Sequence, residues 1–492
     1  MITATIVPTM PKENSQSNGT SEIAVPHMSA EEFRSAGHDA VDFLVNFIDG
    51  FRTDSPDLPL TSDLAPGDVY ASLPSSPPMK GEPFEAILAD VERLIVPGLT
   101  NWQHPGFYGF FPADSSPPSV LGELVSAGLG QQGMLWSTSP ACTELETLVL
   151  DWLAEAVGLP DRFRSDGPGG GVIQDSASSS SLCAILAARD RAGGAESLPT
   201  LRIYTSEQAH SSIEKDVLVA GFARHQLRVV KTDDDFAMDA NALASLVDAD
   251  VAEGHVPCLV VATVGTTSSG AIDPVSSICD VAGPVGAWVH VDSAWAGAAT
   301  VCPEHRDLLD GIDRVDSYCF NPHKWLLTNF DLSAFYLADV QPLIDSLSIV
   351  PEYLRNTASE AGAVVDYRDW QVPLGRRFRA MKLWFVMRSY GVEGLRAHIR
   401  THVAAAADLA ARVEANPKLE LAAPLSLGLV CLRHLDGDDA TEALLASVNS
   451  SGRAFCTHTR LAERFVMRVA VGGTWTTSNH TTDLADLLDD LA

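Results

Sequence analysis

The chain has 492 residues, 46% hydrophobic and 20% charged, and is long enough for roughly two to four packed units. Its formal net charge of −31 excludes a nucleic-acid partner, because phosphate-backbone binding needs basic patches that release counterions. No apolar run approaches the roughly 18–20 residues needed to cross a bilayer, so no membrane association is expected. The N-terminal MITATIVPTMPKENSQSNGTSE lacks the basic start and long apolar stretch of a signal peptide, and a cytoplasmic enzyme is the expectation. The eight cysteines are scattered with no C-x-x-C pair, so they are expected to be reduced, buried small residues rather than disulfides or metal ligands.

Residues 1–25, polar and rich in Pro, Ser and Asn, read as a disordered tail. MSAEEFRSAGHDAVDFLVNFIDGF then reads as a helix. Ser29 and Glu32 have capping-box spacing, and Phe33, Ala40, Val41, Phe43, Leu44 and Phe47 form an apolar stripe. With the Pro-rich passage from Ser55 to Pro83, this predicts an N-terminal helical and wrapping segment over 26–110. From about 140 to 330 the pattern alternates. ELETLVLDWLAEAVGLP, SLCAILAARDRAG and ANALASLVDADVAEG are helical, while LRIYTS, LRVVKT, CLVVATVG and AWVHVDSAW have strand length and composition. Alternation of this kind implies βαβ units and a mostly parallel sheet covered by helices, here a large domain over 111–385. RFRAMKLWFVMRSYG, a second helical run and the strand LSLGLVCLRHL predict a small α+β domain over 386–492.

In such a sheet, ligands sit at the carboxyl ends of the strands. Four polar groups fall there. QDSASSSSLCAILAARDR (174–191) starts a helix with small residues, which suits either a phosphate or an ordinary N-cap. The nearby GPGGGV is not followed directly by a helix, so it is no dinucleotide fingerprint. His210 follows LRIYTS, where a histidine is either structural or a stacking group. Asp292 closes AWVHV, and a buried carboxylate there needs either a backbone amide or a cation such as a protonated ring nitrogen. Lys324 lies in NPHKWLLTN and is one of only seven lysines. It either snorkels to the surface or, if desolvated, serves as a nucleophilic amine. As a set, a phosphate cup, a stacking histidine, a ring-nitrogen aspartate and an imine-forming lysine meet the requirements of pyridoxal phosphate.

These stretches resemble the group II pyridoxal-phosphate amino-acid decarboxylases, most closely the aromatic L-amino acid decarboxylase branch. HPGFYGFFP, SPACTELETLVLDWL, AHSSIEK, VATVGTTSSGAIDP, HVDSAWAG, NPHKWLLTNFDLSAF and DYRDWQVPLGRRFRAMK carry the likeness, from about residue 30 to the C-terminus. The resemblance implies an aspartate-aminotransferase-like fold (PLP fold type I) and a homodimer with active sites shared between subunits. It also implies α-decarboxylation of an aromatic L-amino acid (tryptophan, tyrosine, phenylalanine or dihydroxyphenylalanine) to the amine. Position by position, Lys324 would form the imine with the cofactor, Asp292 would pair with its ring nitrogen, and His210 would stack on the ring. Ala177, Ser178 and Asn321 would hold the phosphate, with Thr267, Asp273 and His323 also on the cofactor. Trp102, Phe111, Pro112, Gln132 and Met134 would line the substrate pocket, and Leu374 and Gly375 would arrive from the neighbouring subunit. Tyr353 would protonate Cα. Gln132 and Met134 depart from the isoleucine and phenylalanine of animal relatives, while Gly375 matches relatives that accept indoles. The alternatives are an aldehyde synthase of the same fold, a decarboxylase of a non-aromatic amino acid, and an inactive cofactor-binding protein. Tyr353 speaks against the first, and the retained Lys324, Asp292 and His210 against the last.

Overall fold

A computed structural model describes residues 27–52, 58–349 and 364–492. Its described residues form two compact units, one drawn from residues 27–48 and 66–97, the other from 49–52, 58–65 and 98–492. Compactness therefore does not divide the chain at 110 or 385. The long helix Ala380–Ala415, broken only at Gly391 (φ 63°), packs on the helices Pro117–Leu129 and Pro140–Val157 and also on strands of the C-terminal sheet. One element thus belongs to both expected domains.

In the first unit the helix Ala30–Asp49 begins as its sequence predicts. The Ser29 amide donates to Glu32 Oε2 (2.7 Å) and the Glu32 amide donates to Ser29 Oγ (3.2 Å). Of its apolar stripe, Phe33, Val41 and Leu44 are exposed.

The second unit is built on a seven-stranded sheet of order β1-β7-β6-β5-β4-β2-β3. The strands are β1 (Gly170–Gln174), β2 (Leu201–Ser206), β3 (Leu227–Val230), β4 (Val256–Thr263), β5 (Trp288–Asp292), β6 (Ser317–Phe320) and β7 (Ser333–Leu337). All neighbours are parallel except β7, which runs antiparallel to both β1 and β6. The central strands are buried along nearly their whole length, which is why they read as unbroken apolar runs rather than alternating ones. The Gly-rich 167–172 leads into β1. A Cβ on Gly169 would lie 1.9 Å from the Arg162 carbonyl oxygen, so close backbone packing accounts for the glycine there. A second sheet orders β10-β11-β9-β8, from β8 (Leu419–Leu421), β9 (Leu429–His434), β10 (Thr457–Leu461) and β11 (Arg464–Ala470), all antiparallel. Among the described residues no helix is long and apolar enough to cross a membrane. All eight cysteines are buried and unpaired.

Part of the serine run turns out to serve packing. In the helix Ala177–Arg191, Ser180 Oγ lies 3.1 Å from Ser333 Oγ and Ser181 Oγ lies 3.2 Å from His290 Nε2, so both tie the helix to the sheet. Trp288 Nε1 donates to Ser317 Oγ (2.8 Å), and the same hydroxyl lies 2.9 Å from His290 Nδ1. Burial lowers the His290 pKa to about 4, so the ring is neutral.

This arrangement gives an acid sensitivity with a definite sign. Between the ordinary histidine pKa near 6.5 and about 4, the unfolded chain binds a proton at His290 that the folded chain refuses. Stability contributed by this site is therefore lost as pH falls through that window, by up to about 3 kcal/mol. His290→Asn should flatten the pH dependence of the apoprotein Tm between pH 7 and 4. An unchanged slope would rule out this site as the cause.

Candidate active site

The parallel strands deliver the expected groups to one edge. Asp292 ends β5, and Asn321 and Lys324 follow β6, its parallel neighbour, in which Cys319 is in register with Asp292. His210 follows β2, and the helix that starts at Ala177 follows β1. His210, Asp292 and Lys324 are close enough for each charge to act on the others.

Burial is the largest influence on Lys324 and pushes its amine below the usual lysine range; Asp292 pulls the other way. The contrast with Lys382 is informative. That lysine is fully buried, whereas Lys324 is half-buried, and Lys382 forms an ion pair with Glu123 at 2.9 Å. Among the described residues Lys324 has no salt bridge. Asp292 is 4% exposed and equally lacks an ion pair there; its Oδ1 accepts from the Ala294 amide at 3.0 Å. Among the described residues a half-buried amine and a buried carboxylate share one site without an ion pair, and a cationic ring with a carbonyl group would suit both.

The other groups fit the same ligand. Ser176 caps its helix by accepting from the Ser179 amide (3.3 Å), which leaves the first-turn N–H groups of Ala177 and Ser178 for an anion. Asn321 is buried and its Oδ1 lacks a hydrogen-bond partner; rotating the amide end presents an N–H at that point instead. His210 Nδ1 accepts from the Ser212 amide (3.2 Å), so the neutral ring carries its proton on Nε2. Burial lowers the His210 pKa, Asp292 raises it and Lys324 lowers it.

Other residues are placed differently. Both Asp273 oxygens are taken up by backbone amides, of Met238 and Thr263, each at 2.7 Å, and burial raises its pKa to about 7. Its visible task is to tie the end of β4 to the 238 loop. Thr267 is exposed. His323 accepts at Nδ1 from the Leu332 amide (2.9 Å), and burial drives its pKa to about 3. Phe111 stacks on Trp295 (centroids 4.8 Å apart) and meets Trp325 edge-on at 5.3 Å, while Pro112 is buried beside it. Trp102 stacks on Phe110 and is 39% exposed. Gln132 Oε1 accepts from the Arg376 amide (2.6 Å) and the Met134 carbonyl from the Arg368 amide (3.0 Å). These two therefore pack with the segment that carries Leu374 and Gly375, both exposed in the single chain. Tyr353 lies outside the described residues.

Arg468 escaped the sequence reading. It sits in β11 at 5% exposure, donates to Thr457 Oγ1 (3.2 Å), and has no carboxylate partner among the described residues. Its charge adds to burial in disfavouring the Lys324 ammonium. The only available signal was a basic residue inside the apolar run RFVMRVAV.

Residues 66–435 match the family model described as "Pyridoxal-dependent decarboxylase conserved domain". The chain belongs to the pyridoxal-dependent decarboxylase family. It is 42% identical over 487 residues to a phenylacetaldehyde synthase of Arabidopsis thaliana, covering 96% of this chain and 98% of the relative. It is 40% identical over 475 residues to an aromatic-L-amino-acid decarboxylase of Catharanthus roseus, covering 94% of each. The solved structure of Oryza sativa TDC with PLP and tryptamine is 39% identical with a TM-score of 0.92, covering 95% of this chain and 99% of that one. The pyridoxal-dependent decarboxylase therefore has the aspartate-aminotransferase-like fold, uses pyridoxal phosphate and is a carboxy-lyase.

Lys324→Ala tests the amine. Protein loaded with cofactor, reduced with borohydride and digested should carry the cofactor on the peptide containing Lys324, and the variant should carry none. Cofactor trapped on another lysine, with Lys324→Ala unimpaired, would remove Lys324 from this role.

Proposed function

We propose that this enzyme α-decarboxylates an aromatic L-amino acid as a cytoplasmic homodimer, with Lys324 as its cofactor-linked amine. The observation that carries the site assignment is Lys324, half-buried and held below the usual lysine range, beside the buried Asp292, neither with an ion pair among the described residues. The substrate class is supported by relatives named for aromatic substrates at about 40% identity.

When bound, pyridoxal phosphate supplies an electron sink for the pair released as the Cα–carboxylate bond breaks. The chain's residues do the rest. Asp292 would meet the cationic ring nitrogen and favour its protonated form. Ala177, Ser178 and Asn321 would hold the phosphate. His210, fixed in one tautomer by the Ser212 amide, would lie against the ring with its Nε2–H free to donate. Arg468 and burial favour an uncharged Lys324, the form that can attack a carbonyl. Tyr353 returns a proton to Cα, which ends the reaction at the amine. The phenylacetaldehyde synthase relative gives the aldehyde outcome weight as the second reading.

A dimer is supported by exposed apolar surface. Leu121, Leu124, Val125 and Leu129 of the helix Pro117–Leu129 are 41–55% exposed, and Leu374 (49%) and Val372 (58%) are exposed as well. A soluble chain rarely leaves so many large apolar side chains uncovered.

A screen of the natural amino acids, measuring carbon dioxide, amine and hydrogen peroxide together, tests the reading. Aromatic substrates should give amine and carbon dioxide in equal amounts with little peroxide, and Tyr353→Phe should divert product towards aldehyde with peroxide. Stoichiometric peroxide from the unaltered enzyme would establish the aldehyde synthase instead. Turnover confined to acidic or aliphatic amino acids would overturn the substrate class.

A further inference from the structure

Behind Lys324 lies a buried polar cluster with no part in the steps above. Trp325, the residue after the lysine, donates its indole N–H to His402 Nδ1 (2.9 Å). His402 Nε2 lies 3.1 Å from the Thr476 carbonyl oxygen. An indole N–H only donates and a carbonyl only accepts, so His402 has one permitted state: neutral, with its proton on Nε2. Asp114, 1% exposed, holds the same turn two residues further on. Its Oδ2 accepts from the Leu327 amide (2.7 Å) and its Oδ1 from Thr474 Oγ1 (3.1 Å). The Asp114 amide donates to the His323 carbonyl (2.9 Å), and Ser116 Oγ donates to the Leu327 carbonyl (2.6 Å). Leu327 has φ 53°, a left-handed backbone that a leucine seldom adopts and that these bonds hold in place. His398 completes the cluster, 3.6 Å from Asp114 Oδ2 and in edge contact with the His402 ring at 4.3 Å.

The anchors on either side of Lys324 therefore come from three places: the 114–116 loop, the long helix that carries His398 and His402, and the 474–476 segment after β11. We propose that His402 and Asp114 are positioning residues for Lys324: they brace the turn that carries the lysine and so fix where its amine stands relative to Asp292. The bond that matters at His402 is the one from Trp325, and the contact to Thr476 serves to hold the tautomer that can accept it. The proposal rests on Lys324 being the cofactor-linked lysine.

Two variants separate positioning from plain structural support. The oxygen of an asparagine side chain falls where Nδ1 was, and the amide nitrogen of a glutamine falls where Nε2 was. His402→Asn thus keeps the Trp325 bond and loses Thr476, while His402→Gln does the reverse. Both lose the ring. The expected outcome is that His402→Gln lowers kcat about tenfold with KM changed less than about twofold, while His402→Asn stays near the unaltered enzyme. His402→Gln should also shift the pH midpoint of the bound cofactor's visible absorbance band, and His402→Asn should not. Trp325→Phe should reproduce the glutamine variant, and combining the two should add little further loss. Equal effects of Asn and Gln on kcat and on the band, or a glutamine variant indistinguishable from the unaltered enzyme, would overturn the brace. If Lys324→Ala still traps cofactor covalently, the site assignment itself falls; if Lys324→Ala is inert while His402→Gln is normal, only the brace does.

Discussion

The fold keeps the half-buried amine of Lys324 and the buried carboxylate of Asp292 at one end of the sheet with no ion pair to either among the described residues. Elsewhere the chain follows the usual rule for buried charge: Lys382 pairs with Glu123, and Arg376 with Glu146. Lys324 and Asp292 break that rule at the carboxyl end of the sheet, where ligands of doubly wound folds bind. The cost is borne by the scaffold. β5 and β6, parallel and fully buried, present Asp292 and the Lys324 turn from adjacent strand ends, and a large aromatic and aliphatic core fixes both.

Supporting bonds turn that placement into geometry. The Ala294 amide fixes one Asp292 oxygen, and the Asn321 amide donates to the Ala294 carbonyl at 2.8 Å, so the two strand ends are tied to each other. Asp273 anchors the end of β4, in register with Asp292, through the Thr263 amide. Neutral histidines with fixed tautomers recur near the site: 210 and 323 accept at Nδ1 from a backbone amide, and 402 lies between an indole N–H and a carbonyl.

Much of this was legible in the sequence because it is local. LRIYTS spans β2 residue for residue, Ser29 and Glu32 cap their helix as their spacing requires, and the residues that end the apolar runs gather at one edge of the sheet. What was missed depends on contacts between distant segments. The antiparallel β7 looks like any apolar run, and only its pairing with β1 and β6 sets its direction. The serine run at 176–181 mixes a cap, two packing hydroxyls and an open first turn, which composition alone does not separate. Arg468 lies 144 positions after Lys324 and reaches it only through the packing of the second sheet. The apolar stripe of the first helix was read correctly as amphipathic, but periodicity does not say what covers it.

The central claim is that Asp292, buried and without an ion pair among the described residues, is placed to meet the charge of the cofactor ring. Steady-state decarboxylation by cofactor-loaded Asp292→Asn tests this most directly, with the Tm of the apoprotein as the control for folding. The account predicts a loss in kcat/KM of at least about a hundredfold, as for removal of a dominant electrostatic group, with the apoprotein Tm unchanged or raised by removal of a buried charge. Turnover within a few-fold of the unaltered enzyme would contradict it.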